Sequence, residues 1–502
     1  MILGGQVVPG RGAPVECGAG PSPMAGLLLP PVCLMSRSET PSQLTTTQWL
    51  MAVLAVGLIF RLCLLAATVS LEARIVDEQH YLTLARNIVE GRGFAFSNGP
   101  TSLRPPAYPA LIAAVWTVVG HESLQAVRAL QAVLGVLAGL LAYRIACALF
   151  DEVTGVWAAG LTMFYPAFVI AQALLLTETL FACLVLGTVA SVVSLLRRPR
   201  LATALCAGVL LGFAALTRSI LYPFPVVLVP LLLWWTPASF GRRFVLGAML
   251  CVGFAGVVTP WAIRNTQLQG VPVLVDTMGG LNLRMGNYEY TPHDRIWDAV
   301  SQDGDRSWIV GLPEQPPDGG AWTEGKKERW ARQQALAFIT SHPGLTLWRA
   351  VIKFGDFWAL DRDFLAGVQR GLYHPPAFVT AVLGSALILA YPVALGLAVL
   401  GAWLVSPRDA RGAAVLLILI AFVCALHTIV FAHPRYRLPL MPLVLVFTAA
   451  ALKQQAWRLL EPRTWRGRGA LLTLAGIAAI WVVQIAWRDW PAVRPLVLGA
   501  GS

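Results

Sequence analysis

The sequence predicts an all-α polytopic membrane protein with about 11 transmembrane helices, interfacial helices in the first outer loop and a small extracytoplasmic segment. Of its 502 residues, 57% are hydrophobic and only 13% are charged, whereas about 25% of a typical soluble chain is charged. The apolar residues come in runs of about 18–25, long enough to cross a hydrocarbon core of about 30 Å. Both observations favour a chain buried in a bilayer over a set of soluble domains.

The apolar segments follow one another along most of the chain. One further apolar stretch, 106–119, is too short to be a crossing, and we expect it to lie in the interface or to dip into the protein. The predicted spans are 49–71, 124–149, 154–172, 174–196, 201–217, 219–235, 244–262, 377–405, 412–431, 438–453 and 470–487.

Arginine-rich connections predict the orientation of these spans. With the N-terminus inside, four inner loops are basic: 197–200, 241–243, 406–412 and 453–469. This is the positive-inside pattern, and it places the chain in the cytoplasmic (inner) membrane as a multi-pass protein. The unusual polar residues then collect on the extracytoplasmic side, where we expect the active site.

The same assignment divides the chain into four regions. The N-terminal region is rich in Gly, Pro, Ser and Thr and lacks periodicity, which is typical of disorder or of a mis-assigned start. The predicted regions are a disordered tail (1–46), an N-terminal transmembrane module (47–262) that includes the first outer loop (72–123), an extracytoplasmic segment (263–376) and the C-terminal transmembrane helices (377–490).

Composition also excludes several functional classes. The net charge is +12, but the arginines are spread over short loops instead of forming the clustered patch that nucleic acid requires. The eight cysteines show neither a disulfide framework nor metal-ligand spacing. The chain contains no P-loop, GxGxxG, HExxH or GxSxG motif, and its inner loops are too short for a nucleotide-binding domain. We therefore expect no cofactor, no metal site and no nucleic-acid partner.

Two adjacent carboxylates, Asp77 and Glu78, open the stretch VDEQHYLTLARNIVEGRGF (76–94). Its apolar residues recur at helical spacing and predict a short helix on the membrane surface, stopped by Gly91 and Gly93. One interpretation is structural, with Asp77 as N-cap and Glu78 complementing the helix dipole. The other is catalytic, because a carboxylate at the outer surface is placed to accept a proton from a hydroxyl.

Ionisable side chains near the outer span ends are the second group of candidates. Arg104 precedes a proline pair, and Glu178 lies one turn inside a predicted span, where a charge is costly and suggests function. Arginine at outer span ends violates the positive-inside rule, and repeated violations at one surface suggest a bound anion such as a lipid phosphate. Structural interpretations remain for each: snorkelling, helix anchoring or ion pairing. The candidates for binding the substrate or the carrier phosphate are Arg104, Tyr108, Glu178, Arg218, Arg264, Arg435, Tyr436 and Arg437.

Seven motifs in this order resemble the type C integral-membrane glycosyltransferases, in particular the bacterial relatives of protein O-mannosyltransferases and of lipid A aminoarabinose transferases. They are VDEQHYLTLARNIVEGRGF, LRPPAYPALIA, LLLTETLFACL, ALTRS, PWAIRN, MGN and HPRYRLPLMP. The resemblance runs from about residue 47 to 452 and rests on the ordered set, because no single motif is specific.

The resemblance implies an inverting transfer of a sugar from a polyprenyl-phosphate carrier to a hydroxyl acceptor on the outer side of the membrane. Asp77 matches the family's base, Glu78 the second acid, and Arg104 a carrier-phosphate position. Arg264 and the stretch from Arg435 to Arg437 are weaker matches. The chain lacks the large β-trefoil insert of the protein O-mannosyltransferases. The partners that the resemblance implies are the polyprenyl-phosphate sugar, the bilayer and an acceptor that is a glycan, a lipid or a protein.

Two other functions fit parts of the sequence. A flippase or transporter of lipid-linked sugars would also need intramembrane charges, but it predicts two similar halves with broken helices at the bilayer midplane. An inactive assembly subunit would not need to retain Asp77 and Glu78. The sequence names neither the sugar nor the acceptor.

Overall fold

The structure, a computed structural model, describes residues 44–293, 295–369, 371 and 374–489. Within these residues, almost all regular structure is helical, which confirms the predicted all-α polytopic class. The only strands described form a two-residue hairpin, β1 (Ala95–Phe96) and β2 (Gly99–Pro100). The predicted tail lies outside the described residues except at its last three positions.

Eight helical segments in the described residues are long and apolar enough to cross a membrane. Two of them contain a second helical type: the 3₁₀ turn Pro434–Leu440 leads into α17, and a π-helical turn, Ile485–Asp489, follows α18. The single-helix spans are α1 (Thr46–Ala67), α4 (Leu124–Leu149), α7 (Glu178–Arg197), α10 (Phe240–Gln269), α15 (Ala377–Leu404) and α16 (Ala410–Ile429), and the other two contain α17 (Met441–Gln454) and α18 (Trp465–Gln484).

Three of the eleven predicted spans differ from this pattern. The predicted span 154–172 is a bent pair, α5 (Glu152–Phe164) and α6 (Pro166–Ala173), with a 47° break where Pro166 begins a new helix. The other two, α8 (Leu201–Thr217) and α9 (Pro225–Trp235), have only 17 and 11 residues. At 1.5 Å per residue these helices are about 26 and 16 Å long. The count of eleven is therefore not confirmed, and the described residues give eight or nine.

The remaining helices lie in the two predicted outer regions. The short stretch 106–119 forms α3, which is too short to be a span, as predicted. Helix α10 continues seven residues past the predicted boundary at 262 before it ends at Gln269. These helices are α2 (Val76–Val89), α3 (Ala107–Val119), α11 (Gly279–Met285), α12 (Glu324–Ser341), α13 (Pro343–Phe357) and α14 (Asp363–Gln369).

The short helix α8 packs against α10 with its backbone in contact. A Cβ added at Gly208 would collide with the carbonyl oxygen of Leu250, and one added at Gly212 would lie 2.8 Å from the Val257 side chain. Small residues four apart are the usual means by which membrane helices approach this closely. The contact matters for the site, because Arg218 directly follows α8 and α10 carries Arg264.

Replacing Gly208 by alanine should therefore lower the thermal unfolding temperature, since a Leu250 carbonyl cannot move as a side chain can. Overpacking of this kind costs about 1–3 kcal/mol. The matched control is Gly256→Ala on α10, where an added Cβ meets nothing within 4 Å. Equal melting temperatures for the two variants in detergent would contradict the proposed contact.

Candidate active site

The amphipathic helix α2 carries the two candidate carboxylates on different sides. Tyr81, Leu84 and Ala85 are buried, as the helical spacing predicts. The helix ends at Val89, and Gly91 and Gly93 follow with φ of 75° and 74°, values that glycine adopts readily. Successive residues of a helix point about 100° apart, and the contacts of the two carboxylates differ accordingly.

Glu78, the second predicted catalytic acid, accepts hydrogen bonds from backbone amides. Its Oε2 accepts hydrogen bonds from the amides of Arg74 (3.1 Å) and Ile75 (3.0 Å), and its Oε1 accepts one from Leu175 (2.8 Å). Its exposed fraction is 2%. Three backbone amides engage the Glu78 carboxylate, and its predicted catalytic role beside Asp77 stays a prediction. It ties the start of α2 to the chain before α7.

Asp77 instead joins a row of alternating charges that we call the charge cluster: Asp77, Arg104, Glu178, Arg218 and Arg435. Arg104 Nη2 lies 2.7 Å from Asp77 Oδ1, and Arg435 Nη1 lies 3.3 Å from Asp77 Oδ2. Arg435 Nε also contacts Glu178 Oε1, and Arg218 Nη2 lies 2.7 Å from the same oxygen. Three guanidinium groups face two carboxylates, so the charge cluster has a formal charge of +1.

The two acids of the charge cluster differ in access. The Glu178 side chain is 1% exposed, whereas that of Asp77 is 28% exposed. Glu178 Oε2 is buried without a hydrogen-bond partner among the described residues. Glu178 therefore holds Arg218 and Arg435 in position from the buried side of the charge cluster. Asp77 is the more accessible of the two carboxylates.

The arginines also set the acidity of Asp77. Burial by itself raises the pKa of this carboxyl group, but the charges of Arg104, Arg435 and Arg218 outweigh burial. Its pKa consequently lies below the ordinary value. Asp77 is ionised in this arrangement, and both of its oxygens are engaged by guanidinium groups.

His80 is a member of the site that the sequence analysis missed. Its Nδ1 lies 3.1 Å from Nη2 and 3.3 Å from Nε of Arg104. A guanidinium only donates, so this ring nitrogen accepts and carries no proton. Burial and the charge of Arg104 lower the pKa of His80, which keeps it neutral. Its position three residues after Asp77 on one helix face is a signal that could have identified it.

The predicted tyrosines lie beside and behind the charge cluster. Tyr436 stacks on His427 with ring centroids 4.4 Å apart, and the Arg218 guanidinium lies 5.9 Å from its ring centre. Tyr108 is fully buried; its hydroxyl donates to Gln131 (3.1 Å), and its ring packs edge-on against Tyr81. Tyr436 thus contacts the charge cluster directly, whereas Tyr108 supports α2 from the protein interior.

Arg264 and Arg437, two further residues predicted to bind the carrier phosphate, lie outside the charge cluster. Arg264 donates to the carbonyls of Thr101 (2.5 Å) and Phe94 (3.0 Å) and so fixes the hairpin of the first outer loop. Arg437 donates to the carbonyl of Phe357 and pairs with Asp361. Both guanidinium groups stabilise the fold through these contacts.

The described residues contain no group of three or more His, Cys, Asp or Glu side chains that could hold a metal ion.

Part of the chain matches a known family. Residues 103–263 match the model of a family described as dolichyl-phosphate-mannose-protein mannosyltransferase. This match confirms the resemblance to type C membrane glycosyltransferases that the ordered motifs indicate. The matched segment contains Arg104, Glu178 and Arg218 of the charge cluster. No curated protein matches the chain.

Several solved structures resemble the fold. An oligosaccharyltransferase from Archaeoglobus fulgidus, solved with zinc and sulfate, is 15% identical with a TM-score of 0.48, covering 86% of this chain and 52% of that one. Its complex with an inhibitory peptide and a dolichol-phosphate gives 15% identity, a TM-score of 0.43 and coverages of 87% and 55%. ArnT from Cupriavidus metallidurans, bound to undecaprenyl phosphate, is 14% identical with a TM-score of 0.40. The match covers 82% of this chain and 78% of that one. The chain thus spans about half the length of the oligosaccharyltransferase.

Replacing Glu78 by glutamine should destabilise the protein, because the new amide group would face backbone donors that the carboxylate satisfies. A buried donor left without an acceptor costs about 1–3 kcal/mol. The measurement is the thermal unfolding temperature in detergent. Glu72→Gln is the control, since the Glu72 side chain is 74% exposed and near the same helix start. An unchanged Glu78→Gln melting temperature would refute the structural role.

Proposed function

We propose that this protein is an inverting glycosyltransferase that moves a sugar from a polyprenyl-phosphate carrier to a hydroxyl acceptor. The observation that carries the proposal is the charge cluster: an accessible carboxylate, Asp77, lies among three guanidinium groups. The matched family is one of transferases that use a dolichyl-phosphate sugar, which favours transfer over the alternative of a flippase or transporter.

The guanidinium groups of Arg104, Arg218 and Arg435 are the proposed site for the carrier phosphate. Arginine binds phosphate through a planar donor fork. The carrier phosphodiester has one negative charge, which the formal +1 charge of the site neutralises. When the bond between the anomeric carbon and the phosphate oxygen breaks, the leaving phosphate gains a second charge. Fixed cations stabilise that developing charge without the need for an acid.

Asp77 is the proposed general base. The acceptor hydroxyl attacks the anomeric carbon from the side opposite the phosphate, a new carbon–oxygen bond forms, and its proton passes to Asp77. One displacement inverts the anomeric centre, so a second catalytic carboxylate is not required. This assignment agrees with the engagement of Glu78 by backbone amides. Glu178 has a positioning role, because it holds Arg218 and Arg435 and is too buried to meet substrate.

The helices support an extracytoplasmic location for the proposed reaction. Helix α7 begins at Glu178 and ends at Arg197, and α8 begins after the arginine-rich connection 197–200 and ends before Arg218. The charge cluster and the basic loops therefore lie at opposite ends of the same helices. With the basic loops in the cytoplasm, the reaction takes place at the outer face of the inner membrane. The acceptor is a glycan, a lipid or a protein.

Asp77→Asn should abolish transfer while leaving the protein folded. General bases contribute about 10²–10⁴-fold to rate, and asparagine has the shape of aspartate without its basicity. The measurement is sugar transfer from short-chain dolichyl-phosphate mannose and related donors, with the unfolding temperature as the folding check. Asp298→Asn, at an exposed position of the outer segment, is the control. Full activity of Asp77→Asn would remove Asp77 from the mechanism.

Arg104→Ala should weaken binding of a short-chain dolichyl phosphate. A hydrogen bond to a charged group contributes about 1.5–3 kcal/mol, which corresponds to about 10- to 150-fold in Kd. The measurement is a binding titration of the purified protein in detergent. Arg295→Ala removes an exposed outer arginine and should leave the Kd unchanged. Equal affinities for the Arg104→Ala variant and the wild type would show that the phosphate binds elsewhere.

A further inference from the structure

A short irregular segment, 271–277, follows α10 and is fixed by hydrogen bonds to α10 and to Ser102. Val271, Val273 and Val275 are buried, in alternation with more exposed residues. The Val275 carbonyl accepts from the indole of Trp261 (2.8 Å) and from the amide side chain of Asn265 (2.9 Å). The amide of Thr277 donates to the carbonyl of Ser102 (3.0 Å). The backbone on both sides of Asp276 is therefore held in place.

The Asp276 carboxylate lies next to two segments that carry arginines of the charge cluster. The hydroxyl of Ser219, the residue after Arg218, is near enough to lower the pKa of this carboxyl group. Thr277, its neighbour, is bonded to Ser102, two residues before Arg104. Arg104 is also close enough to act electrostatically on the Asp276 carboxyl group. The residue is thus at the wall of the candidate active site, although its sequence context contains no motif.

Asp276 differs from the two acids of the charge cluster in its partners. Among the described residues, no arginine, lysine or histidine forms an ion pair with it, whereas Asp77 and Glu178 each contact two arginines. Its Oδ1 accepts the Met278 amide at 2.9 Å. A carboxylate can accept about four hydrogen bonds. Asp276 therefore retains acceptor capacity near the guanidinium groups of the charge cluster, which can only donate.

We propose that Asp276 accepts hydrogen bonds from hydroxyl groups of the sugar on the carrier phosphate and thereby contributes to the choice of sugar. The inference rests on the proposed function. The sugar of the carrier is bonded directly to its phosphate. A phosphate held by Arg104 and Arg218 would therefore bring the sugar close to Asp276. A site that is built to bind a hydroxyl rejects an analogue without it, because the buried acceptor is then left unpaired.

A purely structural role for Asp276 is the alternative, since its bond to the Met278 amide shapes the turn before α11. Asp276→Asn separates the two roles. The asparagine side chain can still accept the Met278 amide, but it loses the charge that strengthens a hydroxyl bond. We expect this variant to have the thermal unfolding temperature of the wild type, and Asp276→Ala to have a lower one.

The test compares wild type, Asp276→Asn and the control Asp298→Asn in the full-length protein. Donors are short-chain dolichyl phosphates that carry mannose, glucose or galactose, followed by monodeoxy forms of the sugar that the wild type uses best. Asp276→Asn should raise the donor KM by about 10- to 100-fold and reduce discrimination against one deoxy sugar. Binding of dolichyl phosphate without a sugar should be unchanged. Retained donor KM and retained discrimination would overturn the proposal, as would an equal loss of sugar-free carrier binding.

The pH dependence gives an independent readout. Burial raises the pKa of Asp276, whereas the pKa of Asp77 is lowered. As the pH falls, Asp276 is therefore protonated first, and the donor KM should rise while Asp77 is still ionised. Asp276→Asn should lack this rise, and its presence in the variant would count against the proposal.

Failure of the proposed function gives a different result. A wild type that transfers no sugar from any donor, yet binds the sugar-bearing carrier in a manner that depends on Asp276, would refute transfer and support sugar recognition.

Discussion

The rest of the candidate site depends on the ion pairs that the buried Glu178 carboxylate forms with two arginines. It is 1% exposed and accepts from both Arg218 and Arg435, which are distant in sequence and lie at the ends of different helices. A charge that is removed from water costs several kcal/mol unless it is paired. The start of α7, the end of α8 and the turn before α17 are therefore held together, because separation would leave an unpaired charge on each.

Two sets of arginines in this protein differ in their acceptors. Arg128 donates to the carbonyls of Thr68, Leu71 and Ala173, and Arg349 donates to those of Tyr288 and Thr291. Such guanidinium groups close loops and helix ends. In the charge cluster the acceptors are carboxylates, and the arginines are 15–20% exposed. A phosphate from outside can compete for these donors more readily than for donors buried against carbonyls.

This distinction bears on the base in the proposed reaction. In the structure, Asp77 is held by Arg104 and Arg435, which lowers its pKa and makes it a weak proton acceptor. A carrier phosphate that takes over part of these contacts would raise the basicity of Asp77. Donor binding and base activation would then be coupled through shared guanidinium groups, and the acceptor hydroxyl would meet an active base only after the donor is bound.

Much of the fold could be predicted, because the signal for a span is local. An apolar run of sufficient length is visible in the sequence, and a helix lies at each predicted span. The count of eleven was not confirmed, because length alone could not decide three of the spans: Pro166 divides one span into two helices, and α8 and α9 are short for a crossing. Candidate residues at the outer ends of spans were also predictable, since charge at a span end is unusual wherever the chain folds.

The sequence by itself determined the membrane class, the positions of the helices and a set of ionisable candidate residues near predicted span ends. The tertiary structure decided which of these residues meet. Asp77 and Glu78 are neighbours, yet the turn of the helix directs one to arginines and the other to amides. Arg264 and Arg435 both lie near predicted outer span ends, yet of these two only Arg435 contacts the carboxylates of the charge cluster. The partners of these side chains are residues far away in the sequence, so a local sequence pattern could not determine which groups they contact.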